Sequence, residues 1–136
     1  MSVKMSVQYT GDLHCELKHG PSGTTIQTDA PKDNHGKGEA FSPTDLVGAA
    51  LGSCILTTMA MVADRDGVSL KGARVELEKN MTTSPPRKID SLPLLITLPA
   101  SVPQEYRAKI EHIAHACPVH RSLHPDVKVP VEFKYE

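Results

Sequence analysis

The chain has 136 residues, with 15 basic and 16 acidic side chains and a formal net charge of -1. That length suits one domain with one moderate core, and the charge balance excludes a basic footprint for nucleic acid or a polybasic membrane patch. Aromatic residues make up 4% of the chain, too few for a base-stacking platform.

Residues 2–9 alternate apolar Val3, Met5, Val7 and Tyr9 with polar neighbours, the period of a half-buried strand. Nothing in this N-terminal stretch reads as the apolar segment of a signal peptide. Thr10-Gly11-Asp12 reads as a turn, and Leu13, Cys15 and Leu17 alternate in a second strand. Cys15 is expected to pack there as a small buried hydrophobe. After the turn cluster 19–23, Thr24 to Thr28 is a third β-prone run. Residues 29–41 are polar and glycine-rich, a loop. Gly36 and Gly38 lack the strand and spacing of a phosphate loop.

The stretch from Ser42 to Asp66 is the one the chain is organised around. Ser42 suits an N-cap, Pro43 the first helical position, and Asp45 the acid of a capping box. Phe41 and Leu46 stand where a hydrophobic staple would close. No charge occurs from Leu46 to Ala63, and Gly67 stands ready as the stop. A helix apolar on every side is buried in protein or lies in lipid. Interspersed small and hydroxylated residues, and the lack of an aromatic belt, favour a buried soluble helix. Gly48 and Gly52 then mark a close backbone approach.

Ala73 to Met81 alternates as a strand. Ile89 to Leu98 is a further extended run, whose Pro93 suggests an edge position or a bulge. Pro103 to Ala116 reads as a second helix, with Tyr106, Ile110, Ile113 and Cys117 on one stripe and Pro118 ending it. Val127 to Tyr135 closes the chain as a strand. The order βββ-α-ββ-α-β describes a single α+β domain over residues 1–136 with mainly antiparallel sheets.

The chemistry-bearing side chains are thiols. Three cysteines without an export signal suit a reducing, cytoplasmic setting, and an odd count leaves at least one thiol free. Cys54 lies mid-helix and Cys117 at the end of the second helix, where the partial negative charge disfavours a thiolate. Packed helices can bring two such cysteines within the Cα separation of about 7 Å that a disulfide needs. Two buried structural cysteines would satisfy the same pattern. His112, His115, Cys117, His120 and His124 offer a zinc-like composition, though Pro118 interrupts the helix between them. Solvated histidines near a helix end explain them as well.

The segment SPTDLVGAALGSC and the later HACPVHRSL closely resemble the two cysteine motifs of the OsmC/Ohr family, the osmotically inducible and organic hydroperoxide resistance proteins. Separation, element order and chain length agree, so the resemblance covers essentially the whole chain. It implies the OsmC-like fold as an intertwined homodimer with two buried central helices. It implies a thiol peroxidase in which Cys54 attacks the hydroperoxide and Cys117 resolves the sulfenic acid as a disulfide, reduced by an external dithiol. No metal or other cofactor is called for, and an apolar pocket would favour organic, fatty-acid-type hydroperoxides. Well-studied branches pair the thiol with an N-terminal-region arginine and a glutamate ten residues before the cysteine. Here Thr44 holds that position with Asp45 beside it, and no arginine precedes Arg65. Asp45, Glu39 and Thr44 remain as possible supports, with Arg121 as a possible cation. A non-catalytic OsmC-like dimer that binds a small molecule or lipid is the alternative.

Overall fold

The computed structural model describes all residues from Met1 to Glu136 and divides them into two compact units, 1–46 and 47–136.

In the first unit, β1 (Met5–Gly11), β2 (His14–His19) and β3 (Thr25–Asp29) form an antiparallel meander. The first turn is tighter than its composition suggests. Gly11, Asp12 and Leu13 all take positive φ, so Leu13 is a turn residue and the second strand begins at His14. A leucine tolerates that region poorly. Here its N–H donates to the Tyr9 hydroxyl at 3.3 Å, and its carbonyl accepts from Ala30 at 3.1 Å.

Register aligns Val7 with Leu17 and Leu17 with Ile26, and sets Cys15 between Tyr9 and Thr28. One face of the sheet is therefore apolar. Within the chain it is open: Met5 is 71% exposed, Val7 65%, and Ile26 47%. Cys15 is half-buried, not enclosed as expected, because the face it shares is uncovered.

The long helix α1 (Pro43–Arg65) starts and stops on the residues its sequence marks. Ser42 N–H donates to Asp45 Oδ2 at 2.9 Å, and Asp45 N–H donates to Ser42 Oγ at 3.1 Å, a reciprocal capping box. Phe41 stays 57% exposed, so the expected staple buries little. At the other end Gly67 takes φ 73, Val68 N–H reaches the Ala63 carbonyl at 2.8 Å, and Gly67 N–H reaches Asp64 at 3.1 Å. This is a Schellman stop, a left-handed position that glycine fills without strain. By length and composition α1 is long and apolar enough to cross a membrane.

In the second unit, one stripe of α1 is buried: Leu51, Ile55, Met59 and Ala63 are 0% exposed. The sheet it packs with has the order β4-β7-β8, from β4 (Arg74–Leu77), β7 (Leu94–Leu98) and β8 (Val131–Tyr135). Gly48 and Gly52 make the close approach possible. A β-carbon on either would stand 3.0–3.1 Å from the Leu77 methyls.

A two-stranded ribbon, β5 (Asn80–Met81) and β6 (Ile89–Ser91), branches off. Pro93 is neither edge nor bulge. It separates β6 from β7, and β7 is the central strand, antiparallel to β4 and parallel to β8. The crossover between β7 and β8 runs through α2 (Arg107–Ile113), short 3-10 turns on either side of it, and α3 (Pro118–Ser122). Tyr106 and Lys109 both contact Asp66 Oδ2 at 2.7 Å, tying this crossover to the end of α1.

The α+β class, the mainly antiparallel sheets and the element order stand as expected. Three elements are broken up: the runs 73–81 and 89–98 each divide into two short strands, and the second helix breaks into pieces before Cys117.

Candidate functional site

Cys54 lies near the middle of α1 and is half-buried against the core; Cys117 is 0% exposed. The two thiols are close enough that each shifts the titration of the other, and both are free. The fold has thus brought together residues far apart in the chain.

Cys117 does not sit at a helix C-terminus. The 3-10 turn Ala114–Ala116 ends before it, its backbone is extended at φ -67 and ψ 131, and Pro118 opens α3 as the first helical residue. Cys117 is the N-cap: its Sγ accepts the His120 N–H at 3.4 Å. The stripe predicted through Tyr106, Ile110, Ile113 and Cys117 fails at its last member for this reason.

The electrostatic consequences differ for the two sulfurs. Burial acts most strongly on Cys54 and pushes its thiol up. Hydrogen bonds from Cys117, from the Val119 N–H and from Thr58 outweigh it, so the Cys54 pKa falls below its ordinary 9.0. The Thr58 hydroxyl lies one helical turn on, 4.0 Å from Sγ. Cys117 moves the other way. Burial first, and then the neighbouring Cys54, hold its pKa above 9.0 against the His120 and Val119 N–H groups. The pair is polarised, with the half-buried member the better thiolate.

The groups that lower Cys54 are a thiol, a backbone amide and a hydroxyl, and none is a cation. Val119 was not a candidate from sequence, because a backbone N–H belongs to no side-chain pattern. The Cys-Pro step, with proline suited to a first helical position, was the available signal. Arg121 is exposed, and its backbone N–H donates to the Cys117 carbonyl at 3.1 Å. Its guanidinium is not among the groups acting on either sulfur.

The remaining candidates have local roles in the first unit. Asp45 is held in the capping box, and the Thr44 hydroxyl is 3.2 Å from that of Ser42. Glu39 donates its N–H to Asp29 Oδ2 at 3.0 Å, and its carboxylate lies 4.0 Å from Lys37 Nζ.

The C-terminal histidines do not converge with Cys117 into a cluster close enough for one metal ion. Instead the His124 ring accepts the Asp126 N–H at 3.0 Å, and the His120 amide serves the Cys117 sulfur.

Comparison with known proteins identifies the fold and the family. The solved structure of a Psychrobacter arcticus 273-4 protein, named for an osmotic stress induced and detoxification response, is 37% identical. The match covers 95% of this chain and 93% of that one, with a TM-score of 0.89. The organic hydroperoxide resistance protein OsmC from Legionella pneumophila shares the fold at 16% identity, covering 98% and 97% of the two chains, with a TM-score of 0.78. OhrB of Bacillus subtilis does so at 16% identity, 98% of each chain and a TM-score of 0.73. No match is found among curated proteins. The sequence profile described as OsmC-like protein matches residues 36–132, a span that takes in both Cys54 and Cys117, and the chain belongs to the OsmC-like protein family.

Proposed function

We propose that the protein is a thiol-dependent peroxidase that reduces small apolar organic hydroperoxides in the reducing cytoplasm. One observation carries this reading: two free thiols close enough to perturb one another, the more exposed one shifted toward the thiolate and the buried one away from it.

The Cys54 thiolate attacks the terminal peroxide oxygen. The O–O bond breaks, the alkoxide leaves and takes a proton as alcohol, and Cys54 becomes a sulfenic acid. The Cys117 sulfur, already adjacent, displaces hydroxide, which leaves as water, and the Cys54–Cys117 disulfide forms. An external dithiol returns both sulfurs to thiols. Sulfur carries both electrons, so this cycle uses no flavin or metal. The core against which Cys54 packs is apolar, which favours organic over hydrogen peroxide.

The working form in this reading is an interlocked homodimer. The open apolar face of the N-terminal sheet supports it, since a groove of about 420 Å³ is lined there by Met5, Val7, Leu17 and Ile26.

A second reading, a non-catalytic dimer that binds a small molecule or lipid, is favoured by a specific observation: no cation lowers the Cys54 thiol. Stopped-flow oxidation of the reduced protein by cumene hydroperoxide separates the two. The enzyme reading expects oxidation far faster than that of free cysteine, and loss of it in Cys54→Ser. A rate equal to free cysteine, with an apolar molecule retained in native mass spectra, establishes the binding protein instead.

A further inference from the structure

The polar face of the N-terminal sheet gathers three metal-ligating side chains that the thiol chemistry does not use. β2 and β3 place His14 directly opposite Asp29, so their side chains share a face. The loop 30–41 then folds back over them. Asp29 N–H donates to the Phe41 carbonyl at 3.2 Å, Gly38 N–H to Ala30 at 3.4 Å, and Glu39 N–H to Asp29 Oδ2 at 3.0 Å. The bend at Gly36 permits this return, since a β-carbon there would fall on the Ala30 backbone.

The result is a convergence of donors. His14 Nε2 lies 3.6 Å from Asp29 Oδ1, and ligand atoms of His14, Asp29 and Glu39 all lie within 4.8 Å of one another. Asp29 is 1% exposed, and its Oδ1 has no hydrogen-bond partner. Native structures rarely leave such an oxygen unsatisfied, because its desolvation goes uncompensated.

His14 is oriented as a ligand would be. Its Nδ1 is 2.7 Å from the Asp12 carbonyl oxygen, which can only accept, so Nδ1 carries a proton. In the neutral ring Nε2 then turns its lone pair toward Asp29 Oδ1. This is the outer-shell hydrogen bond that metal-bound histidines make. A lone pair and two carboxylates crowded together repel one another unless a cation lies between them. Of the ammonium groups nearby, Lys37 is 78% exposed and 4.0 Å from Glu39, and the Lys32 side chain runs along Gly38.

We propose that His14 Nε2, Asp29 Oδ1 and the Glu39 carboxylate form a binding site for a divalent transition-metal ion of the zinc class. One nitrogen and two carboxylates suit zinc or cobalt, whereas calcium and magnesium prefer oxygen-only shells. Two ligands each about 2.1 Å from a tetrahedral zinc stand about 3.4 Å apart. The His14–Asp29 separation of 3.6 Å meets that almost without movement. Glu39, with a side chain 58% exposed, supplies the remaining closure by rotating inward. The ion fastens loop 30–41 to the ends of β2 and β3.

The test is titration of the chelator-stripped full chain with Co²⁺, and with Zn²⁺ in competition, read by cobalt d–d absorption, metal analysis and thermal melting. The expected result is one ion per chain with no thiolate charge-transfer bands, and a melt raised by Zn²⁺. Glu39→Gln, a change at an exposed side chain, and His14→Gln should each weaken binding by at least about tenfold. His120→Gln should leave it unchanged. No binding above background overturns the site, as does binding that survives both ligand variants or moves with His120→Gln. So does an imidazolium at His14 that pairs with Asp29 and persists, by NMR, in the presence of Zn²⁺.

Discussion

The Cys117 sulfur accepts the backbone N–H of His120 at 3.4 Å, so the residue proposed to resolve the sulfenic acid is also the cap of the helix that follows it. The two roles separate in variants. Cys117→Ser keeps an oxygen cap, which helices favour, but removes the second sulfur. After one equivalent of hydroperoxide it should accumulate Cys54 sulfenic acid, trapped by dimedone, and form no intramolecular disulfide. Cys117→Ala should lose the cap as well and be about 1 kcal/mol less stable than the serine variant in urea. Equal disulfide yields in wild type and Cys117→Ser rule out the resolving role.

The Cys54 thiol is shifted below 9.0, and only the thiolate alkylates. Its rate with iodoacetamide should therefore rise with pH to a plateau whose midpoint lies below that value, and fall as pH drops through it. Because Cys117 contributes one of the hydrogen bonds that lower it, Cys117→Ala should move the midpoint upward. An unmoved midpoint means that the amide and Thr58 act alone.

Gly52 tests the contact between α1 and β4. Alanine there gains about 1 kcal/mol of helix propensity, while its β-carbon stands 3.1 Å from a Leu77 methyl, the flexible end of a side chain. The two effects nearly cancel, so Gly52→Ala should change stability little. Gly52→Val adds branching with no room and should cost about 1–3 kcal/mol by chemical denaturation.

Ser42 is 1% exposed and holds the entry of α1 through Asp45. Ser42→Ala should cost about 1 kcal/mol, and Asp45→Asn less, since an amide oxygen can still accept the Ser42 N–H. A neutral Ser42→Ala would show that the cap is carried by other groups.

Asp66 is held below its ordinary 3.8, first by the hydrogen bond from Lys109 and then by that from Tyr106, while the Tyr106 phenol is pushed up to about 12, first by burial and then by Asp66. A depressed carboxyl stabilises the fold above its unfolded pKa, and that stability is lost as pH falls through the folded value. Asp66→Asn should thus melt earlier than wild type at pH 6, and the difference should vanish as pH falls through the folded value. A difference that persists in acid would assign the effect to packing.

Much of this architecture was legible because local chemistry and the final fold agree. Ser42, Pro43, Asp45 and Gly67 announce α1 and then cap it as their side chains dictate. Alternation gave the strands, and the Gly48/Gly52 spacing gave the close approach. What escaped depends on contacts between distant segments or on the backbone. The parallel pairing of β7 with β8 leaves no local mark. Pro118 reads equally as the end of one helix or the start of another, and the choice reverses the electrostatics at Cys117. His14, Asp29 and Glu39 are separated by a strand and a loop, so only the folded sheet brings them together.

The unequal burial of the two sulfurs has a consequence for how the proposed cycle is reset. An incoming thiolate must approach along the S–S axis, and Cys117, 0% exposed behind Pro118–Ser122, offers no such path. Attack therefore falls on the Cys54 sulfur, although this expels Cys117, whose raised pKa makes it the poorer leaving group. In the proposed cycle the mixed disulfide with the reductant would thus form on α1, and the raised Cys117 pKa should slow this regenerating step.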